Sequence, residues 1–159
     1  MTANVAPDEC VLLALYPSLL DEKIGNKAVE YFAVVAETFK LPLSFNEQFG
    51  LGSSEIDSLL DRVTKQAVDI KYPRLRLAGG YLEDDVTMVC LEALARGFDV
   101  FMLADNIVAR DDAYQQLHLQ RLFQAGAVPT TLKQFLYQWL NHIGDMKLRE
   151  SAKLRLRIL

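Results

Sequence analysis

The run Leu75-Arg76-Leu77-Ala78-Gly79-Gly80-Tyr81-Leu82-Glu83-Asp84-Asp85 decides how this chain folds. Leu75 to Ala78 reads as a short strand, two glycines stop it, and a helical pattern opens at Glu83. From about Glu83 to Arg96, Val86, Val89, Cys90, Ala93 and Leu94 recur on one face, and Gly97 is placed to end the helix in a left-handed C-cap. Phe98 to Ala104 is the next strand, and Asp111 to Ala125 is helical up to Gly126. Ala127 to Thr130 is a brief strand, and Thr131 to Ile143 a last helix with Leu132, Phe135, Leu136 and Trp139 as its stripe. Alternation at these lengths specifies parallel βαβ units with right-handed crossovers.

Towards the N-terminus the pattern continues. Cys10 to Leu15 is an apolar strand closed by Tyr16-Pro17, since proline brings no N–H to a ladder. Asn26 to Leu41 has helical spacing, with Val29, Phe32, Ala33, Ala36 and Phe39 on one face. Pro42 to Phe45 is a strand and Gly50-Leu51-Gly52 a turn. Ser53 or Ser54 is placed to cap a helix running to about Val68, with Ile56, Leu59, Leu60 and Val63 inside. The predicted fold is α/β: a three-layer α/β/α sandwich, Rossmann-like, with a mostly parallel sheet of about five strands. Internal repeats and low-complexity segments are absent from the sequence.

The chain has 159 residues, 51% hydrophobic and 24% charged, enough for one domain with a full core. That domain is expected at 1–145, followed by a basic tail or arm at 146–159. Net charge is −4; from Asp145 onward five cations face two anions, leaving the tail at +3 and the remainder at −7. An acidic body argues against nucleic acid as a partner. Cys10 and Cys90 are too few for a disulfide framework and sit in apolar runs, as reduced core residues of a cytoplasmic protein do. Residues 1–9 show no export signal, and no apolar run is long enough to span a bilayer, so no membrane partner is expected.

Parallel sheets bind ligands at the carboxyl ends of their strands, where Glu83-Asp84-Asp85 falls. A carboxylate there can serve as nucleophile or general base, or it can cap the helix and complement its dipole. Three consecutive acids diverge around a helix, and His118 and His142 lie on different helices, so neither a metal nor a cofactor is expected. The glycine turns are too short for a phosphate loop and lack its lysine. Tyr16, Phe45, Phe49 and Tyr81 fall near strand ends, where they either line a small-molecule pocket or fill it. Cys90 lies beyond the first helical turn on the core face, which argues against a nucleophile. Lys65 and Lys71 read as solvated lysines.

Three blocks then carry a resemblance: Cys90-Leu91-Glu92-Ala93-Leu94-Ala95-Arg96-Gly97-Phe98-Asp99-Val100, Ala104-Asp105-Asn106-Ile107-Val108-Ala109-Arg110-Asp111, and Gln124-Ala125-Gly126-Ala127-Val128-Pro129-Thr130-Thr131. In order and spacing they resemble the C-terminal half of the isochorismatase-like cysteine hydrolases, and Val11-Leu12-Leu13-Ala14-Leu15 resembles that family's first strand. The resemblance implies strand order 2-1-3-4-5 after loss of an edge strand, and a homo-oligomer. It also implies a triad of aspartate, lysine and cysteine. Carried over, the aspartate falls on Tyr16 and the cysteine on Asp85, and the lysine segment has no counterpart.

Two functional readings follow. The first is a shortened, non-catalytic member that binds a small ligand or acts as an interaction subunit, with Tyr16, Phe45, Gly80, Tyr81, Asp84 and Asp85 as candidate ligand residues. The second is a hydrolase of small amides or vinyl ethers working through a non-standard carboxylate site. The crowded apolar face at Phe135, Leu136, Tyr137, Trp139 and Leu140 suits burial or a subunit contact, and Leu154-Arg155-Leu156-Arg157-Ile158-Leu159 alternates as a pairing arm would.

Overall fold

A computed structural model describes residues 10–25, 27–48, 50–67 and 73–157, and the structural statements below concern those residues. Strands β1 (Cys10–Leu15), β2 (Leu43–Asn46), β3 (Arg74–Gly79), β4 (Asp99–Leu103) and β5 (Val128–Thr130) form one parallel sheet in the order 2-1-3-4-5. β1 is buried along its whole length, and its side chains alternate between two cores. Val11, Leu13 and Leu15 enter one cluster, Cys10, Leu12 and Ala14 the other. A strand covered on both faces must be apolar throughout, which is why its sequence shows no polar alternation.

Helices α3 (Ser53–Gln66), α4 (Thr87–Ala95) and α5 (Gln115–Ala125) cover the first face. The second is covered by α1 (Pro17–Lys23), α2 (Ala28–Phe39), α6 (Leu132–Leu140) and α7 (Met146–Leu156). From β1 the chain steps one way to β2, and from β3 it steps the other way to β5. Right-handed crossovers therefore fall on opposite faces, and the strand order switches between β1 and β3.

Local differences from the sequence reading have local causes. Pro17 does more than close β1: as the first residue of a helix, where its missing N–H costs nothing, it starts α1. The inward face of α2 is Phe32, Val35, Ala36 and Phe39, with Ala33 exposed. Gly52, rather than Ser53 or Ser54, occupies the N-cap of α3, and the Ser54 hydroxyl is spent on Glu55 at 3.1 Å. Before α5 a 3-10 turn at Asp112–Tyr114 is capped by the Asp111 carboxylate, which accepts from the Ala113 N–H at 3.0 Å. The stripe of α6 is buried within its own chain, Trp139 packing edge-on against Phe39 and Phe135, so it offers little to a neighbouring subunit.

The sequence reading passed over Arg76, whose side chain lies in the second core at 3% exposure. Its guanidinium sits 4.4 Å from the Phe101 ring centre and 4.3 Å from that of Phe135, where aromatic faces offset part of the lost hydration. Burial pulls its pKa below the usual arginine range, against the influence of Cys10.

The tail departs most from expectation. Residues 146–156 form a helix instead of an extended arm, because Asp145 caps it by accepting from the N–H groups of Lys147 and Leu148. Ala152 and Leu156 enter the second core, and the Tyr31 hydroxyl donates to the Leu156 carbonyl at 2.7 Å. Leu154, by contrast, is 72% exposed. Leu156→Ala is expected to lower stability to urea by about 2–5 kcal/mol, and Leu154→Ala by no more than about 0.5 kcal/mol. Equal losses would mean that α7 is not docked.

Candidate functional site

The carboxyl ends of β1 and β3 meet closely. Tyr16, after β1, takes a left-handed backbone at φ 43°, and Gly79 and Gly80 follow at φ +76° and +73°. A Cβ on Gly79 would stand 2.0 Å from the Leu15 carbonyl oxygen, so only glycine fits there. The chain then winds as one π turn, Leu82–Val86, before α4 begins, where the sequence pattern predicts an α-helix from Glu83. The wider turn is closed five residues apart: the Val86 N–H donates to the Tyr81 carbonyl at 3.3 Å, and the Thr87 hydroxyl to the Leu82 carbonyl at 2.6 Å.

The turn splays its three acids in different directions, and each reaches another part of the chain. Asp85, 4% exposed, accepts from the Gly50 N–H at 3.1 Å with Oδ2 and from the Leu51 N–H at 2.9 Å with Oδ1. Glu83 accepts from the N–H groups of Arg110 and Asp111, both at 3.0 Å. Asp84 Oδ2 accepts from Arg110 Nε at 2.6 Å, and that guanidinium lies 3.9 Å from the centre of the Tyr81 ring. Below them the Leu82 N–H donates to Val108 and the Val108 N–H to Gly80. The carboxylates expected to cap their own helix lace two loops to it instead, because divergent acids cannot share one target.

The remaining candidates scatter around this node. Phe45 is half-buried and lines a cavity of about 590 Å³ beside Asn46, Glu55 and Arg62. Tyr81 lines another of about 500 Å³ with Ile107, Arg110 and Gln115. Gly80 and Asp85 are buried and line neither, and Tyr16 is half-buried at the end of β1. Thus Tyr81, Asp84 and Asp85 belong to one node, whereas Phe45 belongs to a separate hollow. Cys90 is fully buried, and burial pushes its thiol up to about 12, so it is not a thiolate at neutral pH. Lys65 is exposed on α3; Phe49 and Lys71 lie outside the described residues. The partners Gly50, Leu51 and Arg110 escaped the sequence reading. The available signal was a glycine turn whose N–H groups need acceptors facing a surplus of carboxylates.

The model of the isochorismatase domain matches residues 53–134, which span β3, the acidic turn, β4 and β5. The chain belongs to the isochorismatase family. A secreted isochorismatase effector, Isc1, of Phytophthora sojae is 28% identical over 69 residues, 43% of this chain and 33% of that protein. The chain therefore matches about a third of the length of that curated relative. Among solved structures, YcaC from Pseudomonas aeruginosa superposes at TM-score 0.69 with 16% identity, covering 98% of this chain and 92% of that one. YcaC from Escherichia coli, described as an octameric hydrolase of unknown specificity, gives 0.68 with 18% identity, covering 98% and 91%. At such identities the likeness establishes the isochorismatase-like fold.

Acid sensitivity follows from the node. Partial burial pushes the Glu83 carboxyl up, but the N–H groups of Arg110 and Asp111, its own N–H and the nearby His118 outweigh it and hold its pKa below the ordinary range. A carboxyl lowered by folding stabilises the protein above its unfolded pKa, and that contribution disappears as pH falls through the folded value. Between about pH 5 and pH 3 the wild type is expected to lose more stability than Glu83→Gln, measured by urea unfolding. Parallel curves would show that Glu83 does not hold the loop.

Proposed function

We propose that this chain is a non-catalytic isochorismatase-family subunit that acts by binding a small ligand or by interacting with other subunits. The observation that carries the reading is Asp85. At the position where the family resemblance expects the nucleophilic cysteine, both carboxylate oxygens are engaged by backbone N–H groups. To attack an electrophile the carboxylate would have to leave two charge-assisted hydrogen bonds, each worth about 1.5–3 kcal/mol. The turn at 50–51 would then be left unpaired. Tyr16 offers a phenol where a carboxylate would manage the proton, and the burial of Cys90 supplies no substitute.

Assembly is part of this reading. Met88 and Leu91 on α4, and Leu117 and Phe123 on α5, are 43–56% exposed, more apolar surface than two helices of a solitary domain need to show. The octameric state of the Escherichia coli neighbour supports assigning these helices to contacts between copies. Two buried cysteines held as thiols support a reducing, cytoplasmic setting. No described helix is long and apolar enough to cross a membrane.

The competing reading, a hydrolase acting on a small amide or vinyl ether through a carboxylate, needs Asp85 free. Purified protein is expected to sediment as a species larger than a monomer and to hydrolyse neither substrate class, with Asp85→Cys restoring nothing. Turnover that disappears in Asp85→Ala while sedimentation is unchanged would establish the hydrolase. A monomer without turnover would leave ligand binding as the function and remove the subunit role.

A further inference from the structure

We infer that a hollow between α2, α6 and the end of α7 is a binding site for a small carboxylate with a flat apolar body. It measures about 290 Å³, near the lower limit of roughly 300–1,000 Å³ for ligand pockets, which suits one ring and its substituent better than a nucleotide. It lies in the helical layer opposite α4, away from the acidic turn.

The lining divides by chemistry. Leu132 and Leu136 are buried and form an apolar floor, while Tyr31 and Tyr137 supply aromatic walls. Lys133 and Arg157 supply positive charge at the mouth, and among the described residues neither makes an ion pair. Lys133 Nζ stands 6.0 Å from the centre of the Tyr137 ring. Arg157 is fixed at its base: it takes a left-handed backbone at φ 55°, and its N–H donates to the carbonyls of Leu154 and Lys153. The Tyr31 hydroxyl, donating to the preceding carbonyl of Leu156, ties α2 to this point. Two cations converging on an apolar hollow are unexpected on a body that is otherwise acidic, and they select for an anion.

Asp105 narrows the choice of anion. Its Oδ1 accepts from the Leu132 N–H at 2.8 Å, so its carboxylate is held at the wall of the hollow. A fixed negative charge there disfavours a dianion such as phosphate, whereas a single carboxylate can lie against the guanidinium and keep its ring on the leucine floor. A smaller hollow of about 100 Å³ adjoins it, sharing Tyr31 and Arg157; it adds Lys27, Glu30 and Arg155, the last paired with Glu37 at 3.1 Å, so its charge is mixed and the cations that select the anion are Lys133 and Arg157.

Benzoate is the direct probe, titrated into the full-length isotope-labelled protein and followed by amide NMR shifts. Saturable shifts are expected at Tyr31, Leu132, Lys133 and Tyr137, with a dissociation constant between about 10 μM and 1 mM. Benzylamine should not reproduce them, and inorganic phosphate should not displace benzoate. Lys133→Glu and Arg157→Glu, both at exposed positions, should each weaken binding about tenfold with unchanged spectra elsewhere. The inference is overturned by the absence of saturable shifts, by shifts centred on other residues, by displacement with phosphate, or by full affinity in both charge reversals.

Discussion

The structure depends on a carboxylate that has given up its freedom. Asp85 is nearly inaccessible, and a buried carboxylate without partners would cost several kcal/mol. Two backbone N–H groups from the turn after β2 meet that demand, and their own need for acceptors is met by the same contact. The exchange fastens the β2–α3 turn to the β3–α4 connection across the switch point of the sheet, where no strand pairing holds those segments together. Glu83 and Asp84 do the same for the loop around Arg110 on the other side. Three adjacent acids thus hold loops from two directions, and the π turn makes this feasible by aiming them apart.

On the proposed reading, the same geometry explains how a family scaffold persists without the family's chemistry. A helix start at the end of a parallel strand gathers N–H donors and suits negative charge. A hydrolase leaves that field for a nucleophile and a developing oxyanion. Here the Asp85 carboxylate stands at that helix start and is held by the N–H groups of Gly50 and Leu51. The glycines at 79 and 80 permit the close approach of β1 and β3, so on the proposed reading the frame is kept with a different occupant. On that reading a ligand needs another place, and the groove between α2, α6 and α7 offers cations, aromatic walls and an apolar floor.

The legible part of the fold was the part fixed by periodicity. β1 announced itself as an unbroken apolar run, β3 by the glycine pair that stops it, α6 by the spacing of Leu132, Phe135, Leu136 and Trp139, and the ends of α4 and α5 by Gly97 and Gly126. What escaped was set by contacts distant in sequence. Whether Leu154 to Arg157 becomes an arm or a helix turns on Tyr31 and a core that α7 completes. Arg76 resembles a polar strand residue until Phe101 and Phe135 are brought against it. At the acidic turn the sequence showed the charges and their place on the sheet; the partners of Glu83 and Asp85 lie between 27 and 35 positions away and are backbone groups, signalled only by the glycine turn at 50–52.

The central claim is that the Asp85 carboxylate is a structural acceptor, already occupied. Amide hydrogen exchange of Leu51 tests it most directly, compared between the wild type and Asp85→Ala, with the amides of β1 as an internal reference. The account predicts a Leu51 N–H that is protected in the wild type and exchanges at least about tenfold faster in the variant, while β1 remains protected. Equal and rapid exchange of Leu51 in both proteins would contradict it, and would return Asp85 to the position of a free carboxylate available for chemistry.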